Sequence, residues 1–247
     1  MKVALFVPCY VDAFFPEVGV ATLELLERFG CEVDFPLDQT CCGQPMANSG
    51  CQSDAHDTEA LFARNFAAYE HIVTPSGSCA HHVRDQMTAI EQTAAVRAVR
   101  RNTHELVEFL HDVLQVREFP WAAFPHKVGL HIGCATLRGL GEAKTSEIAG
   151  PELNKPRTLL SAVQGIEFAA PQRPDECCGF GGTFSVFEEP VSAKMGQDKV
   201  SDHHRAGADY IVSPDMSCVM HQQGCARRMA LPIKFIHIAQ VLNGARE

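Results

Sequence analysis

An internal duplication constrains this chain more than any other feature. Cys41-Cys42-Gly43 recurs as Cys177-Cys178-Gly179. The run Ile72-Val73-Thr74-Pro75-Ser76-Gly77-Ser78-Cys79-Ala80-His81-His82 recurs as Ile211-Val212-Ser213-Pro214-Asp215-Met216-Ser217-Cys218-Val219-Met220-His221. Both longer blocks have the form I-V-[ST]-P-x-x-S-C-x-x-H. Ahead of each CCG an apolar run leads into a further cysteine: residues 3–7 before Cys9 and residues 128–132 before Cys134. Two CC pairs, each standing in the same order between a strand-end cysteine and an S-C-x-x-H, make the chain two copies of one unit. The expected halves are 1–120 and 121–247, joined at Phe119-Pro120-Trp121…Pro125.

Each half alternates strand and helix. In the first, 3–7 has the length of a buried strand, and Pro16 opens a helical pattern through Leu23, Leu26 and Phe29 that Gly30 ends. Residues 31–35 read as a second strand feeding the CCG loop, 58–69 as a helix, and 71–74 as a strand stopped by Pro75. Helical patterns follow over 83–99 and 103–116. The second half repeats the scheme with strands over 128–132, 166–169 and 210–213, a helix over 191–205 and a closing helix over 233–242. The fold class expected is α/β: two tandem, pseudo-symmetric βα repeats, each a small parallel sheet flanked by helices. Every cysteine of the repeat then stands just past a strand's carboxyl end, the edge where open α/β sheets bind ligands.

Composition narrows the chemistry. The 247 residues include 11 cysteines and carry a formal charge of -9. An acidic balance without a basic block argues against nucleic acid as a partner. No apolar run approaches the length of a membrane span, and the N-terminus lacks the parts of a secretory signal. A cytoplasmic location is expected, where thiols stay reduced and clustered cysteines point to metal or redox chemistry rather than to disulfides.

Four thiols per half, Cys9, Cys41, Cys42 and Cys79, then Cys134, Cys177, Cys178 and Cys218, suit an iron–sulfur cluster or a structural zinc. Adjacent cysteines are cramped around one small ion, because a planar peptide separates them. A polynuclear cluster offers each its own iron, so one cluster per half is the first expectation. Zinc and a metal-free thiol pair remain the alternatives. Gly43 and Gly179 would supply positive φ where the loop folds back.

These residues resemble the cysteine-rich CCG domain family, found in heterodisulfide reductase and in the iron–sulfur subunit of glycolate oxidase. The segments Gln39-Thr40-Cys41-Cys42-Gly43-Gln44-Pro45, Glu176-Cys177-Cys178-Gly179-Phe180-Gly181-Gly182 and His237-Ile238-Ala239 are similar to its short, two-domain lactate utilization group. The resemblance implies an iron–sulfur electron-transfer subunit in a system oxidising L-lactate to pyruvate. It also implies two partners, a ferredoxin-like iron–sulfur protein and a third lactate-utilization subunit, and the eight cysteines as cluster ligands.

One departure matters. In heterodisulfide reductase the motif ends C-x-x-C and five cysteines hold a noncubane cluster; here His82 and His221 take the last position. Four cysteines per site suffice for a [4Fe–4S] cluster, which weakens the alternative of heterodisulfide-reductase-like thiol/disulfide chemistry. His82 and His221 are candidate ligands, or hydrogen-bond donors to sulfur. A zinc-stabilised interaction module is the non-enzymatic alternative. Outside the repeat, Cys31, Cys51 and Cys225 read as packing or surface residues, His131 as a buried, hydrogen-bonded histidine, and His203-His204 as a solvated helix face. The Gly179-Phe180-Gly181-Gly182 run lacks the spacing of a dinucleotide loop.

Overall fold

In the computed structural model the described residues are 1–245. They form two compact units, the first Met1–Leu114 and the second beginning at Gln115. The first contains strands β1 (Lys2–Leu5), β2 (Glu32–Asp34), β3 (Ile72–Thr74) and β4 (Thr103–Glu105), hydrogen-bonded in the order β2-β1-β3-β4. The second contains β5 (Lys127–Leu130), β6 (Glu167–Phe168), β7 (Tyr210–Ser213) and β8 (Lys234–His237), in the order β6-β5-β7-β8. All six pairings are parallel, so each unit is the expected small parallel sheet with helical crossovers.

The strand order fixes where a ligand can bind. From β1 the chain crosses to β2 on one side, then returns to β3 on the other, and β5, β6 and β7 repeat the move. Connections leaving adjacent strands in opposite directions open a crevice at their carboxyl ends. Cys9 follows β1 and Cys79 follows β3; Cys134 and Cys218 stand likewise after β5 and β7.

Beneath the crevice lies the core. In the first unit Phe6, Phe62, Phe66, Ile72, Val83 and Met87 are buried together. Helix Pro16–Arg28 turns Val18, Leu25 and Leu26 inward, with proline in its first turn, and Gly30 at φ 76° follows its end. In the second unit Val200, Ile211, Cys225 and Ala226 share one cluster.

Three expected helices differ from the structure. The span 83–99 divides into a wide turn at His82–Gln86, a connecting loop, and helix Ala94–Asn102. Thr93 starts that helix by accepting a hydrogen bond from Val96 N at 3.2 Å. Met87 and Ile90 carry the apolar spacing across the loop because both pack into the core. The spans 103–116 and 233–242 each begin with a strand, β4 and β8, before turning helical. Both strands end at a side chain that caps the helix behind it. Glu105 Oε2 accepts from Val107 N at 2.5 Å, and His237 Nδ1 accepts from Ala239 N at 3.1 Å.

Candidate metal centres

Backbone caps and one glutamine set the cysteines in place. Helix Cys9–Phe14 begins at Cys9 directly behind Pro8. Ser76 Oγ accepts from Cys79 N at 3.3 Å, which starts helix Gly77–His81 with Cys79 in its first turn. In the second unit Asp215 takes that capping place, accepting from Ser217 N at 3.2 Å. The first CCG loop is tied to the sheet by Gln39. Its Oε1 accepts from Val7 N at 2.7 Å and its Nε2 donates to Leu5 O at 3.2 Å. Gly43 and Gly179 lie at φ 97° and 90°, the left-handed turn that folds each loop under its cysteines.

The sequence-selected thiols come together within each unit. Cys9 Sγ lies 3.9 Å from Cys41 Sγ, and Gly43 N donates to Cys41 Sγ at 3.5 Å. Cys42 hydrogen-bonds to both Cys41 and Cys79. The second unit repeats this network. The free thiol of Cys177 interacts with those of Cys134 and Cys178, and Cys178 with Cys218. Gly179 N and Phe180 N donate to Cys177 Sγ and Cys178 Sγ at 3.4 and 3.5 Å. Cys42, Cys79, Cys178 and Cys218 are buried, whereas Cys9 and Cys134 are exposed, so each set runs from the core to the surface.

Crowding sets the protonation pattern. The Cys42 and Cys9 thiols donate to Cys41, which lowers the Cys41 pKa and favours a thiolate there. Cys177 is lowered in the same way by Cys134 and Cys178. Their neighbours shift the opposite way. Cys9 and Cys134 are pushed up by those same bonds and by burial, and Cys42 and Cys178 likewise. Four sulfurs this close can all ionise only against bound positive charge, the situation a metal-centred group creates. The donor set is soft and sulfur-rich, and it fits iron–sulfur or zinc.

The histidines do not behave alike. His82 is fully buried beside the first loop, with Nε2 3.5 Å from Glu59 Oε1, and its charge interacts with that of Cys41. His221 instead directs Nε2 to Ser192 O at 3.1 Å and lies 4.0 Å from Cys225 Sγ. Cys225 packs in the core and Cys51 is exposed. Two expectations need correction. His203 is not on a solvated face: it is completely buried, and only His204 of that pair is exposed. His131 is buried as expected, but neither ring nitrogen has a hydrogen-bond partner. Its ligand atom and the sulfurs of Cys178 and Cys218 all lie within 4.8 Å of one another. The signal for it was present in the repeat, because the residue after β5 is His131 where the residue after β1 is Phe6.

Comparison with known proteins agrees with this architecture. The family model described as "Cysteine-rich domain" (CCG) matches residues 3–84 and again 128–223. The chain is 40% identical over 247 residues to a Geobacillus thermodenitrificans protein named lactate utilization protein A, covering 98% of this chain and 99% of that one. It is 41% identical to the protein of the same name from Anoxybacillus flavithermus, with the same coverage. A solved structure of a hypothetical protein from Helicobacter pylori superposes with a TM-score of 0.59 at 10% identity, over 100% of this chain and 49% of that chain. That likeness concerns the fold alone. Two matched CCG segments, and relatives similar along almost their whole length, place the chain in the cysteine-rich CCG domain family, alongside the proteins named lactate utilization protein A.

Proposed function

We propose that this protein is an iron–sulfur electron-transfer subunit of a system that oxidises L-lactate in the cytoplasm. The observation that carries the reading is the convergence of four thiols in each unit, in a chain similar throughout to proteins named for lactate utilization. Oxidation of L-lactate to pyruvate releases two electrons and two protons. An iron–sulfur cluster, when bound, accepts electrons singly, and its chemistry is tuned by the ligands and hydrogen bonds around it.

The chain's own residues do the holding and tuning. Cys9, Cys41, Cys42 and Cys79 would ligate in the first unit, and Cys134, Cys177, Cys178 and Cys218 in the second. Gly43 N and Gly179 N already donate to sulfur, a contact that stabilises the more negative, reduced state. In each unit electrons would enter or leave by the exposed cysteine, Cys9 in the first and Cys134 in the second. A ferredoxin-like partner would carry those electrons, and a third subunit would complete the system.

Deletion in a strain with no second lactate dehydrogenase tests the reading. Growth on L-lactate should fail while growth on pyruvate is normal, and the wild-type gene should restore it. Undiminished growth on L-lactate would contradict the proposal.

A further inference from the structure

The two units part company at three buried positions. Gly43 faces Ala55, directly ahead of helix His56–Phe66, and Glu59 within it, and Gly179 faces Ser192 and Gly196 of helix Glu189–Arg205, which puts the two helices in register. Counting on equally from Glu59 and Gly196, Phe62 and Phe66 of the first unit correspond to Lys199 and His203 of the second. Directly after strands β1 and β5, Phe6 corresponds to His131. In the first unit the three phenylalanines form one aromatic cluster, with ring centroids 5.0, 5.8 and 4.6 Å apart. The second unit has His131, Lys199 and His203 there, each fully buried.

A duplicated fold has no packing need for that exchange, since the phenylalanine version closes the same core. Removing two imidazoles and an ammonium from water costs free energy unless each finds a partner. Lys199 Nζ has two, donating to Arg173 O at 3.0 Å and Pro174 O at 2.8 Å. His203 is admitted by a glycine on the strand, because a Cβ at Gly129 would collide with His203 Nδ1. His131 has no hydrogen-bond partner on either ring nitrogen, and it stands against Cys178 and Cys218. Gly133 keeps that corner open, since a Cβ there would meet Cys218 Sγ at 3.3 Å.

We propose that His131 is a ligand of the metal-centred group in the second unit, which is therefore a mixed imidazole–thiolate centre, whereas the first unit has Phe6 at that position and no imidazole can ligate from there. The inference rests on the second cysteine set holding an iron–sulfur cluster. Its consequence is a division of labour between two copies of one fold. Imidazole adds a neutral donor to the four thiolates, so the two centres differ in reduction potential. Lys199 adds positive charge next to the second.

The test uses the full chain labelled with ¹⁵N-histidine, loaded anaerobically with iron and sulfide, reduced, and read by pulsed electron paramagnetic resonance. A strong histidine-nitrogen coupling is expected. It should be lost in His131→Phe, which installs the first unit's residue, and kept in His82→Gln. The labelled wild-type spectrum stands without any variant, so a misfolded substitution leaves the test intact. A cluster signal with no nitrogen coupling, or a coupling that survives in His131→Phe, overturns the ligand assignment and leaves the electron-transfer reading in place. Failure to retain iron and sulfide at all overturns both.

Discussion

At Gly179 a single methyl group would collide with the backbone: an added Cβ would lie 2.6 Å from Ser192 O and 2.7 Å from Met195 Cβ, at φ 90°. Gly182, in the same loop at φ 63°, has nothing within 4 Å of that point. The two positions separate backbone strain from crowding. Gly182→Ala should cost about 1–2 kcal/mol, the penalty for a side chain in the left-handed region. Gly179→Ala should cost more, because the helix bearing Ser192 must also move, and it should reduce iron retention as well. Denaturant unfolding and iron analysis of the two variants check this. His203 supports a second residue-level prediction. Burial, with Lys199 nearby, lowers its pKa from 6.5 to about 3. Between those values the unfolded chain binds the proton and the native one does not, so stability rises with pH, by at most about 1.4 kcal/mol per pH unit from this group. In His203→Phe the loss of stability on acidification from pH 6.5 should be correspondingly shallower. An unchanged slope would show that His203 gains a charge partner in solution.

At the scale of elements, what was legible in the sequence were strands that bury both faces and loops that carry a motif. Residues 3–7 form a continuous apolar run and 128–132 one broken only by His131, as suits β1 and β5 sitting centrally in parallel sheets. Strands β4 and β8 lie at the sheet edges with sequences Thr-His-Glu and Lys-Phe-Ile-His, which carry no such run and flow directly into helices. Their apolar spacing therefore reads as helix, and only the capping by Glu105 and His237 marks the change. The eight cysteines were legible because duplication singles them out. His131 and His203 were not, because a lone histidine in an apolar or amphipathic stretch carries no signal until the two units are overlaid. Gln39 is the loop-level counterpart. Its amide ties the first CCG loop to Val7 and Leu5. Gln39→Ala should cost about 1–2 kcal/mol, at about 1 kcal/mol per net hydrogen bond. It should also speed iron loss to a chelator from the first unit while sparing the second. Equal loss from both units would mean that the tether is not what holds the loop.

For the whole molecule, duplication has kept the sheet order, the crevice and eight thiols, and has let the layer beneath them diverge. The shared features would hold the clusters, and the divergent layer makes the two units chemically different. Among the described residues no helix is long and apolar enough to cross a membrane. The central claim, that each cysteine set holds its own iron–sulfur cluster, is tested most directly by iron and acid-labile sulfide analysis of the full chain after anaerobic loading, alongside Cys42→Ser, Cys178→Ser and the double variant. Each single substitution should remove about half of both elements and the double variant nearly all of them, as expected for two independent cluster sites. Stoichiometric zinc without sulfide, or iron content indifferent to both substitutions, would contradict that claim.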